Sequence, residues 1–103
     1  VEGFSFVDEM ANETTKMVKR SVDAYVNKDV KMAEEVIAQD DIVDDYFSKI
    51  KHDIITMLTE KTADGEFALD MLMIAKYFER IGDHATNIAE WVIYSVTGTH
   101  KEA

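Results

Sequence analysis

Apolar and small residues recur along this chain at alternating spacings of three and four, in three stretches separated by short polar breaks. The first stretch begins after Ser5, which can cap a helix, with Asp8 three residues on completing a capping-box-like pair. Val7, Met10, Thr14, Met17, Ser21 and Tyr25 then mark one face, the seam of a helix in a bundle. Asn27, Lys28 and Asp29 interrupt the pattern, and Asp29 is suited to cap the next helix. The second seam is Ala33, Val36 with Ile37, Asp40, Val43, Phe47, Ile50, Ile54 and Met57 with Leu58. One of its positions is thus an aspartate. A turn follows at Ala63-Asp64-Gly65-Glu66, with Gly65 suited to a helix C-cap. The third seam is Ala68, Met71, Ala75, Phe78, Gly82, Ala85, Ala89, Val92 and Val96, small in its middle so that another helix can come close. The pattern predicts helices over about 6–27, 30–62 and 66–97. Short links make such neighbours antiparallel. The expected fold is all-α, an up-down-up three-helix bundle forming a single domain over 1–103.

Composition supports this reading. The 103 residues contain no proline and four glycines, so little breaks a helix. With no cysteine, disulfides, thiolate metal sites and cysteine nucleophiles are excluded. The net charge of −10 disfavours a phosphate backbone as partner. No apolar run approaches the roughly 20 residues of a membrane span, because Asp70 and Lys76 break the most apolar stretch. Val1 to Met10 has neither the basic start nor the apolar core of a signal peptide. A soluble, intracellular domain is expected. The first residue is Val1, which suggests a fragment or a processed product.

The charge is unevenly spread. Residues 29–66 carry 11 acids and 4 bases, and Asp40, Asp41, Asp44 and Asp45 fall within six positions. Asp40 and Asp44 are one helical turn apart, where like charges cost roughly 0.2–0.5 kcal/mol. Asp45 has Lys49 four residues on to pair with, whereas Asp40 and Asp44 have no base three or four residues away. A solvated acidic face is the ordinary reading of such a run, but Asp40 lies on the apolar seam, where a carboxylate is costly unless paired or metal-bound. On the third helix Glu79, Asp83, Asn87 and Glu90 form an oxygen-rich stripe. Lys76 and Arg80 stand three residues before Glu79 and Asp83, so pairing within the helix competes as an explanation, although base before acid is the weaker order. If Asp40 and Asp44 meet Glu79 and Asp83 across the groove between helices two and three, the result is a hard-oxygen site. It would suit magnesium, calcium, manganese or iron.

The string Phe78-Glu79-Arg80-Ile81-Gly82-Asp83-His84-Ala85-Thr86-Asn87-Ile88-Ala89-Glu90 resembles the signature of the PhoU family, the phosphate uptake regulators of bacteria. Trp91 to Gly98 fits the end of that signature, and Asp40-Asp41-Ile42-Val43-Asp44 resembles the family's second acidic motif. The resemblance implies one of two tandem three-helix repeats, here the second. It implies a multinuclear metal cluster held through Glu/Asp-x-x-x-Asp motifs, carried by position onto Asp40, Asp44, Glu79 and Asp83. Iron is the metal it favours, with manganese, magnesium, zinc and calcium as alternatives. It further implies a cytoplasmic, often oligomeric regulator. The implied partners are the phosphate ABC transporter and a phosphate-sensing histidine kinase.

Three rival readings are open to test. A carboxylate-bridged metal enzyme would use Glu-x-x-His pairs, and no Glu here has a His three residues later. A histidine phosphotransfer module would use His84, beside Asp83 and near Glu79, where the acids repel a phosphoryl group; His52 and His100 have weaker claims. A purely structural bundle leaves Asp40 unexplained. The series Tyr77, His84 and Trp91, spaced by seven, is read as helix packing, or as an open contact surface if a second bundle is missing. No nucleophile is set beside a base, so a binding module rather than an enzyme is expected.

Overall fold

The structure, a computed structural model, describes residues 5–62 and 64–98. Its elements are α1 (Ser5–Asn27), α2 (Val30–Glu60) and α3 (Gly65–Thr97). Each helix packs against the other two. The molecule measures 52 × 24 × 17 Å, and the 33 residues of α3 span about 50 Å at 1.5 Å each, so this helix runs the full length. The fold is the all-α three-helix bundle that the periodicity predicts. Among the described residues no helix is long and apolar enough to cross a membrane. The side chain of Ser5, with the cap expected of it, lies outside the described residues, as do Ala63 and His100.

Both links are built on lysines in the left-handed region. Between α1 and α2, Lys28 has φ 54°, and the Asp29 amide donates back to the Ala24 carbonyl at 2.9 Å. Asp29 then caps α2, its carboxylate accepting from the Met32 amide at 3.0 Å. The second link corrects the sequence reading. Gly65 is not the C-cap of α2 but the first residue of α3. Lys61, with φ 58°, takes the left-handed position instead, and the Thr62 amide returns to the Met57 carbonyl at 2.9 Å. Asp64 closes the other end by accepting from the Phe67 amide at 2.7 Å. A carboxylate at a helix start also complements the unpaired amides and the dipole there, and this fixes the frame in which α3 meets α2.

The core is Met10, Met17 and Ala24 from α1, Ala33, Val36, Val43, Ile50 and Ile54 from α2, and Ala68, Ala75, Ala85, Ala89, Val92 and Ile93 from α3. Thr14 and Ser21 are buried on the α1 seam. Their hydroxyls donate to the Ala11 and Val18 carbonyls of their own helix, which removes the penalty of burying them. Three seam positions differ from the pattern. After Ser21 the next inward step is three residues, to buried Ala24, and Tyr25 is exposed. Leu58 and Val96 are exposed near the helix ends, where Val92 and Ile93 close the core of α3. Sequence periodicity also missed Gln39, which is buried on α2. Its amide donates to Glu13 at 2.7 Å and its oxygen accepts from Arg20, which is also ion-paired to Glu35. The α1–α2 seam thus carries a hydrogen-bonded polar clip.

Opposite α2, the outer face of α1 and α3 is apolar and open. Val22, Tyr25, Asn87, Ile88 and Trp91 line one groove of about 400 Å³. Tyr25, Val26, Lys28, Trp91, Ser95 and Val96 line another of about 610 Å³. Tyr77 and Trp91 are 61% and 55% exposed, so the face expected to be packed is uncovered within this chain.

A close approach of the helices occurs at Gly82. A Cβ there would lie 3.4 Å from Asp40 Oδ1 on α2, 3.6 Å from Val43 Cγ1 and 3.7 Å from Met17 Sδ on α1. Those are ordinary contact distances for one methyl group but leave no room for more. Gly82→Ala is expected to fold with at most a small change in stability, because about 1 kcal/mol of helix propensity offsets the crowding. Gly82→Leu should cost about 1–3 kcal/mol through overpacking. Urea midpoints of the two variants measure this, and an equally stable leucine variant would contradict the close approach.

Candidate functional site

Asp40 sits on the inward side of α2 because the spacing of three from Asp40 to Val43 keeps it beside the core. One of its carboxylate oxygens, Oδ1, is buried without a hydrogen-bond partner among the described residues. The absent Cβ of Gly82 makes that position habitable, since the same oxygen faces Gly82. Gly82 lies between Glu79 and Asp83 in α3. The acidic turn of α2 and the acidic turn of α3 therefore border one groove.

The charges confirm this proximity. Burial pushes the Asp40 carboxyl up to about 6, and the charges of Asp44, Asp83, Asp41 and Glu79 add to the effect in that order. The Asp44 carboxyl is also raised, by burial first and then by Glu79 and Asp83 across the groove. The two α2 carboxylates thus both feel the charges of Glu79 and Asp83 on α3. The four are not drawn into a ligand cage: among the described residues no three histidine or acidic side chains stand together closely enough to hold a metal ion as placed.

The neighbouring bases divide. Lys76 pairs with Glu79, its ammonium 2.7 Å from Oε1, despite the less favourable order. Arg80 makes no ion pair with Asp83 among the described residues. Lys49 lies over the rings of Phe6 and Tyr46, at 5.3 and 5.5 Å from their centroids, and among the described residues makes no ion pair with Asp45. The oxygen stripe of α3 also divides. Asn87 lines the outer α1–α3 groove, because eight residues from Glu79 turn the helix by about 80° beyond whole turns. His84 is exposed.

The donor set fits a hard cation chemically. Carboxylate oxygens are what iron, manganese, magnesium and calcium accept, and a positive charge here would satisfy the orphaned Asp40 oxygen and offset the repulsion.

The raised Asp40 carboxyl has a defined effect on stability. Its folded-state value of about 6 exceeds the ordinary 3.8, so between these the native state holds a proton that the unfolded chain has released. Stability of chelator-treated protein must then fall as pH rises through that window, and level off above it. Asp40→Asn should lessen this decline, leaving the smaller part due to the raised Asp44 carboxyl, and be the more stable protein on the alkaline side. Denaturant titrations on both sides of the window measure the difference, and parallel curves for parent and variant would contradict it.

Comparison with known proteins bears out the family resemblance. The PhoU domain family model matches residues 7–92. The chain is 37% identical over 89 residues to a phosphate-specific transport system accessory protein PhoU homolog of Clostridium acetobutylicum, covering 86% of this chain and 41% of that protein. It is 37% identical over 94 residues to PhoU homolog 1 of Thermotoga maritima, covering 91% and 40%. With the Pseudomonas aeruginosa homolog it shares 34% identity over 97 residues, covering 94% and 40%. This chain spans about two fifths of the length of these relatives. No solved structure gives a significant match. On the matched domain and these identities, the chain belongs to the PhoU family.

Proposed function

We propose that this chain is a metal-binding repeat of a regulator of phosphate uptake and phosphate-starvation signalling. It acts in the cytoplasm by contact with the phosphate ABC transporter and its sensor histidine kinase, and it is not an enzyme. The observation that carries this reading is the buried, unpartnered Asp40 oxygen set among three further carboxylates in a chain of this family. The relatives are named as accessory proteins of the phosphate-specific transport system, which supports the regulatory role.

Asp40 and Asp44 from α2, with Glu79 and Asp83 from α3, are the residues that would hold the metal, iron by family resemblance and otherwise another hard cation. A bound cation supplies positive charge between the two helices. Asp40 contributes the oxygen already oriented inward, and Gly82 leaves space for that oxygen against α3. Asp44, the more exposed of the α2 pair, forms the solvent side of the groove. Two copies or two repeats would assemble through other faces, leaving this groove free.

Two measurements test the reading. Manganese added to chelator-treated protein should raise the melting temperature. Stabilisation reaches about 2.7 kcal/mol at one hundred times Kd. Asp40→Asn combined with Asp83→Asn should remove the rise; equal stabilisation of parent and variant would place the metal elsewhere. Metal-loaded protein should capture the transporter's ATPase subunit or the sensor kinase. Metal-dependent turnover of phosphate esters or polyphosphate that vanishes with Glu79→Gln, with neither partner captured, would overturn the regulatory reading in favour of an enzyme.

A further inference from the structure

Lys76 is the only base ion-paired to any of the four clustered carboxylates among the described residues. Its ammonium lies 2.7 Å from Glu79 Oε1 and 5.1 Å from the centre of the Phe47 ring. Phe47 belongs to α2, three residues beyond Asp44, so Lys76 reaches from α3 across the mouth of the carboxylate groove. The Glu79 side chain is only 19% exposed, whereas that of Lys76 is 60% exposed. A half-exposed cation thus covers a largely sheltered anion. Helix preference does not explain the pair, since a base three residues before its acid is the weaker arrangement. The Phe47 ring supplies what the helix does not, a face that attracts an ammonium and holds it at the groove.

We propose that Lys76 is the resident counter-cation of the carboxylate cluster: it holds Glu79 when no metal is bound, and it sets metal affinity because that carboxylate must be taken from it. This rests on the metal-binding reading above. The ammonium offsets part of the repulsion among Asp40, Asp44, Glu79 and Asp83 and so steadies the empty groove. The same contact competes with any incoming cation, through the bond to Glu79 and through like-charge repulsion.

The test is calorimetric titration of Mn²⁺ into chelator-treated full-length chain, together with melting of the metal-free protein. Lys76→Met keeps most of the aliphatic stem and removes the charge. It should bind Mn²⁺ about two- to fivefold more tightly, the factor expected from losing a competing, largely exposed ion pair worth about 0.4–1 kcal/mol. The same variant should melt lower than the parent without metal. Lys76→Arg should restore the parent's affinity, a result that a role in packing alone would not produce. Phe47→Leu should loosen the Lys76 contact and also tighten Mn²⁺ binding, by less. Unchanged or weaker binding by Lys76→Met, with the parent binding normally, would overturn the proposal while leaving the metal site standing. A parent that binds no Mn²⁺, or one matched by Asp40→Asn plus Asp83→Asn, would overturn both.

Discussion

The separation of α2 from α3 at Gly82 governs most of what this bundle can do. With a hydrogen in place of a side chain, α3 presents backbone to Asp40 and Val43. Ala75, Ala85 and Ala89 extend the same low relief along the helix. Close-packed interiors transmit small changes in volume, so this stripe decides both the seating of α1 through Met17 and the depth of the Asp40 carboxylate. A bulkier stripe would move α2 outward and return Asp40 to water. The core and the acidic groove are therefore two sides of one packing solution, and the free energy lost in sheltering a carboxylate is set by the approach that gives the core its density.

Much of this was legible in the chain. Three periodic stretches and two short breaks led directly to three helices, and Asp29 was recognisable as a cap from its place before Val30. Asp40 stood out because an aspartate on an apolar seam contradicts its neighbours, and local conflicts of this kind tend to mark function. Gly82 was readable as a site of close approach, although not as one touching both other helices. That Asp40 and Asp44 on α2 would face the charges of Glu79 and Asp83 on α3 followed from spacing once the helices were taken as antiparallel neighbours.

Other features depended on three-dimensional placement. Gln39 looks like an ordinary surface residue beside Asp40, and only the positions of Glu13 and Arg20 on α1 explain its burial. Asn87 shares a spacing of four with Asp83, but helical drift carries it onto another face. Gly65 was the natural candidate to end α2, and Lys61 took that role at a backbone angle that glycine adopts more readily. Lys49, four residues after Asp45, had the stronger claim as a partner for an acid, and Lys76, three residues before Glu79, the weaker. Phe6 and Tyr46 took the first and Phe47 steadied the second, a choice written in aromatic positions on other turns and not in charge spacing.

The uncovered face of α1 and α3 has a consequence for the protein's colloidal behaviour. Val22, Tyr25, Ile88 and Trp91 form an apolar strip on a molecule of net charge −10. Near neutral pH, self-repulsion opposes contact between such strips, and added salt weakens that opposition within a Debye length of about 8 Å at physiological ionic strength. Toward the isoelectric point near 4.6 the repulsion vanishes. Acidification that relieves the crowding at Asp40 therefore also brings the molecules together. The conditions under which a single bundle is least strained are those under which it is most prone to coalesce with its neighbours.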